Sequence, residues 1–194
     1  MKRTVSGIAY LVAGMVLFLA SDAFAGIKPD NGVFGPRPVV QSGPGTAKAL
    51  SPRLRSFLQN HYKDTQEYPN IYSGPLRVSV RTMPSHGGRS LVLVYASGGG
   101  ICGTSGCYLL ILERTPTSYR VLGNIQGWPS IRRLTGNSAY PDLSIWTQGG
   151  GVQPGYRSLI RFDGKAYRLM ETTHPAAKGQ ILFSPQTPDQ LLYP

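Results

Sequence analysis

Residues Leu91 to Arg114 read LVLVYASGGGICGTSGCYLLILER, two apolar runs joined by a glycine-rich loop that carries the chain's two cysteines. Leu91 to Ala96 and Tyr108 to Leu112 are short and continuously apolar, which suits central strands buried on both faces. Four residues separate Cys102 from Cys107. In an oxidising compartment cysteines this close should pair, and closing so short a loop contributes roughly 2 kcal/mol in the chain-entropy model. The competing reading is a redox-active dithiol. That chemistry favours a Cys-x-x-Cys spacing with one cysteine at a helix N-terminus, where the dipole lowers its pKa, whereas both flanks here read as strands.

The N-terminus bears on the compartment. Lys2 and Arg3 precede an uncharged apolar run from Ile8 to Ala20, and Ala23-Phe24-Ala25 supplies the small-x-small pattern of a signal-peptidase site. Cleavage after Ala25 is expected. The apolar run is shorter than the ~20 residues of a bilayer span, and no cysteine near the cut invites a lipid anchor. The expected location is the periplasm. Taking Lys2 and Arg3 from the 20 basic residues and Asp22 from the 9 acidic ones leaves 18 against 8, a formal +10. Such a charge favours an anionic envelope component or an acidic protein, with simple solubility as the plain alternative. Nucleic acid is not expected, because the arginines are scattered without regularly spaced aromatic platforms.

Along the chain, residues 26–45 are rich in Gly and Pro and read as a flexible arm, leaving 46–194 as one β-rich domain. Ser51 and Pro52 open a helix whose packed face carries Leu54, Phe57, Leu58, His61 and Tyr62, and which ends between Asp64 and Pro69. From Leu76 to Arg81 the period becomes two, predicting a strand with Leu76, Val78 and Val80 inward and Arg77, Ser79 and Arg81 toward solvent. Pro84 to Gly88 reads as a turn that exposes His86. Further strands are expected over Tyr119 to Ile125, Ile131 to Leu134, Leu143 to Trp146, Tyr156 to Phe162 and Ala166 to Met170. Asp163-Gly164 signals a two-residue type I′ hairpin turn, and the proline-rich tail after Glu171 should wrap the surface. Short links argue for an antiparallel meander, as an α+β, mostly β sheet or a partly closed barrel with one N-terminal amphipathic helix and a disulfide-clipped hairpin.

Tyr95 to Ile101 and Trp146 to Val152 share one pattern: an aromatic, two small or polar residues, three glycines and a β-branched residue, 51 positions apart. This echo reads as duplicated hairpins in one sheet. It also sets the candidate binding loops, Gly98, Gly99, Gly100, Thr104 and Ser105 in the first, Gly149, Gly150 and Gly151 in the second, with Trp128 and Trp146 beside them. Tryptophan and tyrosine near arginine make common recognition surfaces.

Catalytic and cofactor patterns are weak. The glycine loop lacks the lysine and following helix of a phosphate cradle, and His61, His86 and His174 stand at no metal-ligand spacing. No cofactor or metal is expected. Among the carboxylates, Asp142 beside a strand and Glu113 at the end of one are best placed for burial to raise a pKa.

The set Cys102-Gly103-Thr104-Ser105-Gly106-Cys107, Pro141-Asp142-Leu143, Gly149-Gly150-Gly151, Arg161-Phe162-Asp163-Gly164 with Tyr167, and Pro175-Ala176 resembles uncharacterised exported proteins and lipoproteins of Gram-negative bacteria. The resemblance covers Leu91 to Ala176 and implies an exported fold with no established enzymatic activity. This chain carries Pro84-Ser85-His86-Gly87-Gly88 where that family has an Asp/Asn-Gly-rich turn, which removes the carboxylates of a calcium site. The leading expectation is a periplasmic, non-catalytic binding protein, in its sharpest form an inhibitor or immunity-type protein for an envelope enzyme or toxin. An envelope hydrolase acting on peptidoglycan or glycan through Asp142 and Glu113, and a structural or anionic-surface-binding module, stay open as alternatives.

Overall fold

A computed structural model of the chain describes residues 49–67, 74–84, 89–134, 139–147, 155–174 and 179–193, with the backbone alone for 66–67 and 171–174. The expected signal segment 1–25, the arm 26–45, His86, the Gly149 to Gly151 triplet and Pro175-Ala176 lie outside the described residues.

The helix forms as its punctuation requires. The Ser51 side chain accepts from the Leu54 amide and Pro52 opens helix α1, Pro52–His61. Tyr62 caps it through its N–H to Leu58 O at 2.9 Å, and a second short helix, α2, runs Lys63–Glu67. The helical segment is therefore broken at Tyr62, earlier than expected. His61 is exposed, stacked on Phe57 one turn back, while Leu54, Leu58 and Tyr62 are buried.

Nine strands follow among the described residues: β1 Arg77–Pro84, β2 Ser90–Ser97, β3 Cys107–Arg114, β4 Tyr119–Leu134, β5 Leu143–Thr147, β6 Tyr156–Phe162, β7 Tyr167–His174, β8 Gly179–Phe183 and β9 Gln190–Leu191. They make one open sheet in the order β7-β6-β5-β4-β3-β2-β1-β9, with β8 also on β4. From β1 to β7 each strand pairs antiparallel with the next, the expected meander. Both glycine-rich segments connect antiparallel neighbours, β2 to β3 and β5 to β6.

β4 joins the two halves. Its first part, Tyr119 to Gly127, pairs with β3, and its second part pairs with β5 and β8. The sequence predicts two strands here, Tyr119 to Ile125 and Ile131 to Leu134, with Pro129 between them. Proline has no N–H for a ladder, and the register indeed shifts between Trp128 and Arg132, so the strand continues through an irregularity instead of ending.

Two cores result. Leu91, Leu93, Leu109 and Ile111 face Leu143, Ile145, Ile160 and Phe183, so the inner faces of both halves of the sheet share one apolar cluster. On the opposite face Val92, Val94, Leu110 and Leu112 pack with Leu54 and Leu58 of α1. β2 and β3 are thus buried on both sides, as their unbroken apolar runs require.

Two expectations are corrected. Ser79, read as solvent-facing, is buried and donates to Pro188 O at 3.0 Å, while Arg81 donates to Leu182 O at 3.1 Å and Arg77 pairs with Asp189. The cause is the C-terminal tail, which does more than wrap the surface: β8 and β9 join the sheet, and the segment around them covers that side of β1. The Asp163-Gly164 hairpin is present, but its two central residues are Gly164 and Lys165, since the Asp163 amide donates to Ala166 O at 2.9 Å. Phe162 and Tyr167 are the last pair, only Gly164 needs a positive φ, and Asp163 Oδ1 accepts from the Lys165 and Ala166 amides at 2.8 Å each.

Candidate recognition surface

Cys102 and Cys107 form a disulfide, with Cα atoms 4.1 Å apart. Within it, Gly103 and Gly106 exchange both backbone hydrogen bonds, at 2.9 and 3.0 Å, which places Thr104 and Ser105 at the tip of a miniature hairpin. Thr104 is exposed and Ser105 half-buried. Gly106 has φ +107, and a Cβ there would overlap the backbone of Gly127. Its carbonyl also accepts from Gln126 Nε2 at 3.1 Å. The clip is therefore seated on the middle of β4, a close approach that only glycine permits.

The Gly98 to Gly100 triplet does something different. All three have positive φ, at 81, 57 and 76, and the Gly99 amide donates to Gly74 O at 2.9 Å. Gly98 is buried and Gly100 exposed. These glycines steer the chain around the start of β1, and the Gly98 amide also donates to Cys102 Sγ at 3.3 Å, so the triplet leads directly into the clip.

Next to the clip, Trp128 on β4 lies directly opposite Trp146 on β5, and Trp146 lies opposite Arg157 on β6. Directly paired residues share one face of a sheet, so the three side chains form a row across three strands. Arg157 is buried, so its role is to hold the row: its guanidinium sits 5.8 Å from the centre of the Trp146 ring and donates to Ser130 O at 3.1 Å and to Ser130 Oγ at 2.8 Å. Gly155 lies under the Trp146 indole, where any side chain would collide with the ring. Of the predicted site residues, the structure thus brings Thr104, Ser105, Trp128 and Trp146 to one region, with Gly98 bonded to the base of the clip through Cys102. Arg157, Gln126 and Ser130 were missed. Their role depends on strand register, for which the local sequence carries no marker.

The two carboxylates weighed for catalysis lie elsewhere. Glu113, at the far end of β3 from Cys107, accepts from the Tyr140 hydroxyl at 2.6 Å, from Arg120 at 2.7 Å and from Arg89 at 3.4 Å. The Tyr140 hydrogen bond, outweighing the cost of desolvation and helped by Arg120 and Arg89, holds the Glu113 carboxyl below its usual range. This is the reverse of the upward shift expected from burial alone. Asp142 receives two N–H groups of Arg161, at 3.0 and 2.7 Å. Several other arginines, among them Arg53, Arg55, Arg81 and Arg132, donate to main-chain carbonyls, so much of the positive charge serves the fold.

Among the described residues no group of three or more His, Cys, Asp or Glu is placed to hold a metal ion, and no helix is long and apolar enough to cross a membrane. Comparison with protein-family models, with curated proteins and with solved structures finds no match.

Proposed function

We propose that the chain is an exported, disulfide-clipped binding protein that engages a partner in the cell envelope without converting it, in its sharpest form an inhibitor or immunity-type protein for an envelope enzyme or toxin. The observation that carries this reading is the seating of the clipped Thr104-Ser105 tip on β4 beside the row Trp128, Trp146 and Arg157. A surface already fixed by a covalent clip and by strand pairing loses little conformational freedom on binding, and tryptophans are typical binding anchors, Trp146 here being held by the buried Arg157. The leader-like N-terminus and the resemblance to exported proteins support the location. The hydrolase alternative draws less support, because a general acid needs a raised pKa and Glu113 is held in the opposite direction.

The test places a photoreactive residue at Thr104 and, as a comparison, at Lys165 in the exposed β6–β7 turn, in cells that export the protein. A single adduct from position 104, absent from 165 and lost with Trp128→Ala in a folded variant, is the expected result. Equal adducts from both positions, or none from 104, would overturn the reading. The exported protein should begin at Gly26, and retention of residues 1–25 would remove the compartment on which the disulfide argument stands.

A further inference from the structure

A buried carboxylate needs one cation, and Glu113 has two. Its side chain is 5% exposed, whereas those of Arg89 and Arg120 are 60% and 52% exposed. One negative charge is set against two guanidiniums, so the group keeps one net positive charge at the surface. We propose that Arg89 and Arg120, held by Glu113 and Tyr140, form a binding site for a phosphate group. The site is independent of the clipped loop, which lies at the other end of β3.

The geometry favours a ligand in three ways. Both arginines are positioned from behind. Glu113 is paired in register with Leu91 on β2 and with Arg120 on β4, Arg89 directly precedes β2, and Tyr140 stacks on Phe162 with ring centres 4.1 Å apart. Each guanidinium then directs one terminal nitrogen at Glu113, Arg89 through Nη1 and Arg120 through Nη2; Arg89 also bonds Tyr140, and of the five N–H donors of a guanidinium each keeps others for an added acceptor. A planar fork held at one edge offers the other to an oxyanion with little loss of side-chain freedom. Finally, two separate forks suit a group with several non-bridging oxygens, so that different oxygens meet different arginines. A lone carboxylate is already satisfied by one fork.

The same chemistry is found on free phosphate and on phospholipid headgroups, and the experiment separates them. The full exported protein, labelled at its arginine side chains, is titrated with inorganic phosphate by NMR. Resonances of Arg89 and Arg120 should shift in a saturable way while Arg53 and Arg55, bonded inside the fold, do not. Arg120→Gln should weaken the binding at least about tenfold, the scale of one charge-assisted hydrogen bond. Arg89→Lys, which keeps the charge and removes the fork, should weaken it by a similar factor, and Lys63→Gln, on α2, by less than about twofold. No local shift in the wild type overturns the proposal even if a variant fails to fold. Equal weakening by Lys63→Gln and Arg120→Gln, or none by Arg89→Lys, overturns it in favour of diffuse charge attraction. Vesicles of phosphatidylglycerol, against phosphatidylcholine alone, then identify the source: retention lost with Arg120→Gln supports a headgroup ligand, and a response to inorganic phosphate alone supports a free one.

Discussion

At one end of β3, Cys107 is held by a covalent clip and by a glycine that lets two backbones touch; at the other, Glu113 is held by a phenol and two guanidiniums. Both ends tie the same strands, β2, β3 and β4, yet they respond to different conditions. The clip depends on redox state and on shape. The charged end depends on pH and salt, because the partners of Glu113 reach into solvent where ions screen them. A strand fixed by two unlike devices is not released at both ends by any one change of medium.

The largest expected effect tests the shape of the clipped end. Gly106→Ala adds a Cβ at φ +107 against the backbone of Gly127, so both local strain and overlap oppose it. Urea unfolding should show a loss of about 3 kcal/mol, at the upper end of what unfavourable backbone conformations cost. A loss within about 0.5 kcal/mol would mean that the clip is not seated on β4. Next comes the bond itself. Reduction should cost about 2 kcal/mol, and the cost should be the same in about 50 mM and about 500 mM salt. A salt-dependent difference would mean that the clip and the charged end are coupled.

How far each end was legible in the sequence follows from the same contrast. Cysteine spacing, the glycines around it and two unbroken apolar runs are local signals, so the clip, the hairpin and the doubly buried strands could be read directly. The row of Trp128, Trp146 and Arg157 has no local signal. Pro129 shifts the register between Trp128 and Arg132, and which residue lies opposite Trp146 follows only from the completed pairing. Glu113 is legible as a carboxylate at a strand end, but the direction of its pKa shift is not. Burial alone predicts a raised pKa, and the donors that reverse it come from Arg89, Arg120 and Tyr140, up to 27 positions away. Ser79 failed for a similar reason, since the tail that buries it lies 109 positions along the chain.

At the charged end the third prediction concerns pH. The folded carboxyl of Glu113 lies below its unfolded range, so its contribution is fully present above the unfolded pKa, near 4.5, and is lost as pH falls through the folded value. Glu113→Gln should therefore lose about 1 to 2 kcal/mol at neutral pH, and its deficit relative to wild type should shrink on acidification below pH ~4.5. A deficit that stays constant into acid would show that the carboxylate charge contributes nothing. Asp163 provides the comparison within the molecule. The amides of Ala166 and Lys165 first, then Arg168, bring it from 3.8 to about 2, so any contribution it makes declines progressively as the pH falls between those two values.

The smallest expected effect separates the two arginines. Arg120 lies opposite Glu113 in register at 2.7 Å, whereas Arg89 approaches at 3.4 Å from just outside β2. If both only neutralised the carboxylate, each removal would cost stability in proportion to its contact. Arg120→Gln should cost about 0.5 kcal/mol, as half-exposed ion pairs do, and Arg89→Gln should leave the unfolding midpoint unchanged within error. Phosphate binding, in contrast, should fall for both. A side chain that contributes nothing measurable to folding but is required for the anion is one whose position the fold maintains for a ligand. If Arg89→Gln instead destabilises the protein as much as Arg120→Gln, the second guanidinium belongs to the scaffold, and the charged end differs from the clipped end only in its chemistry.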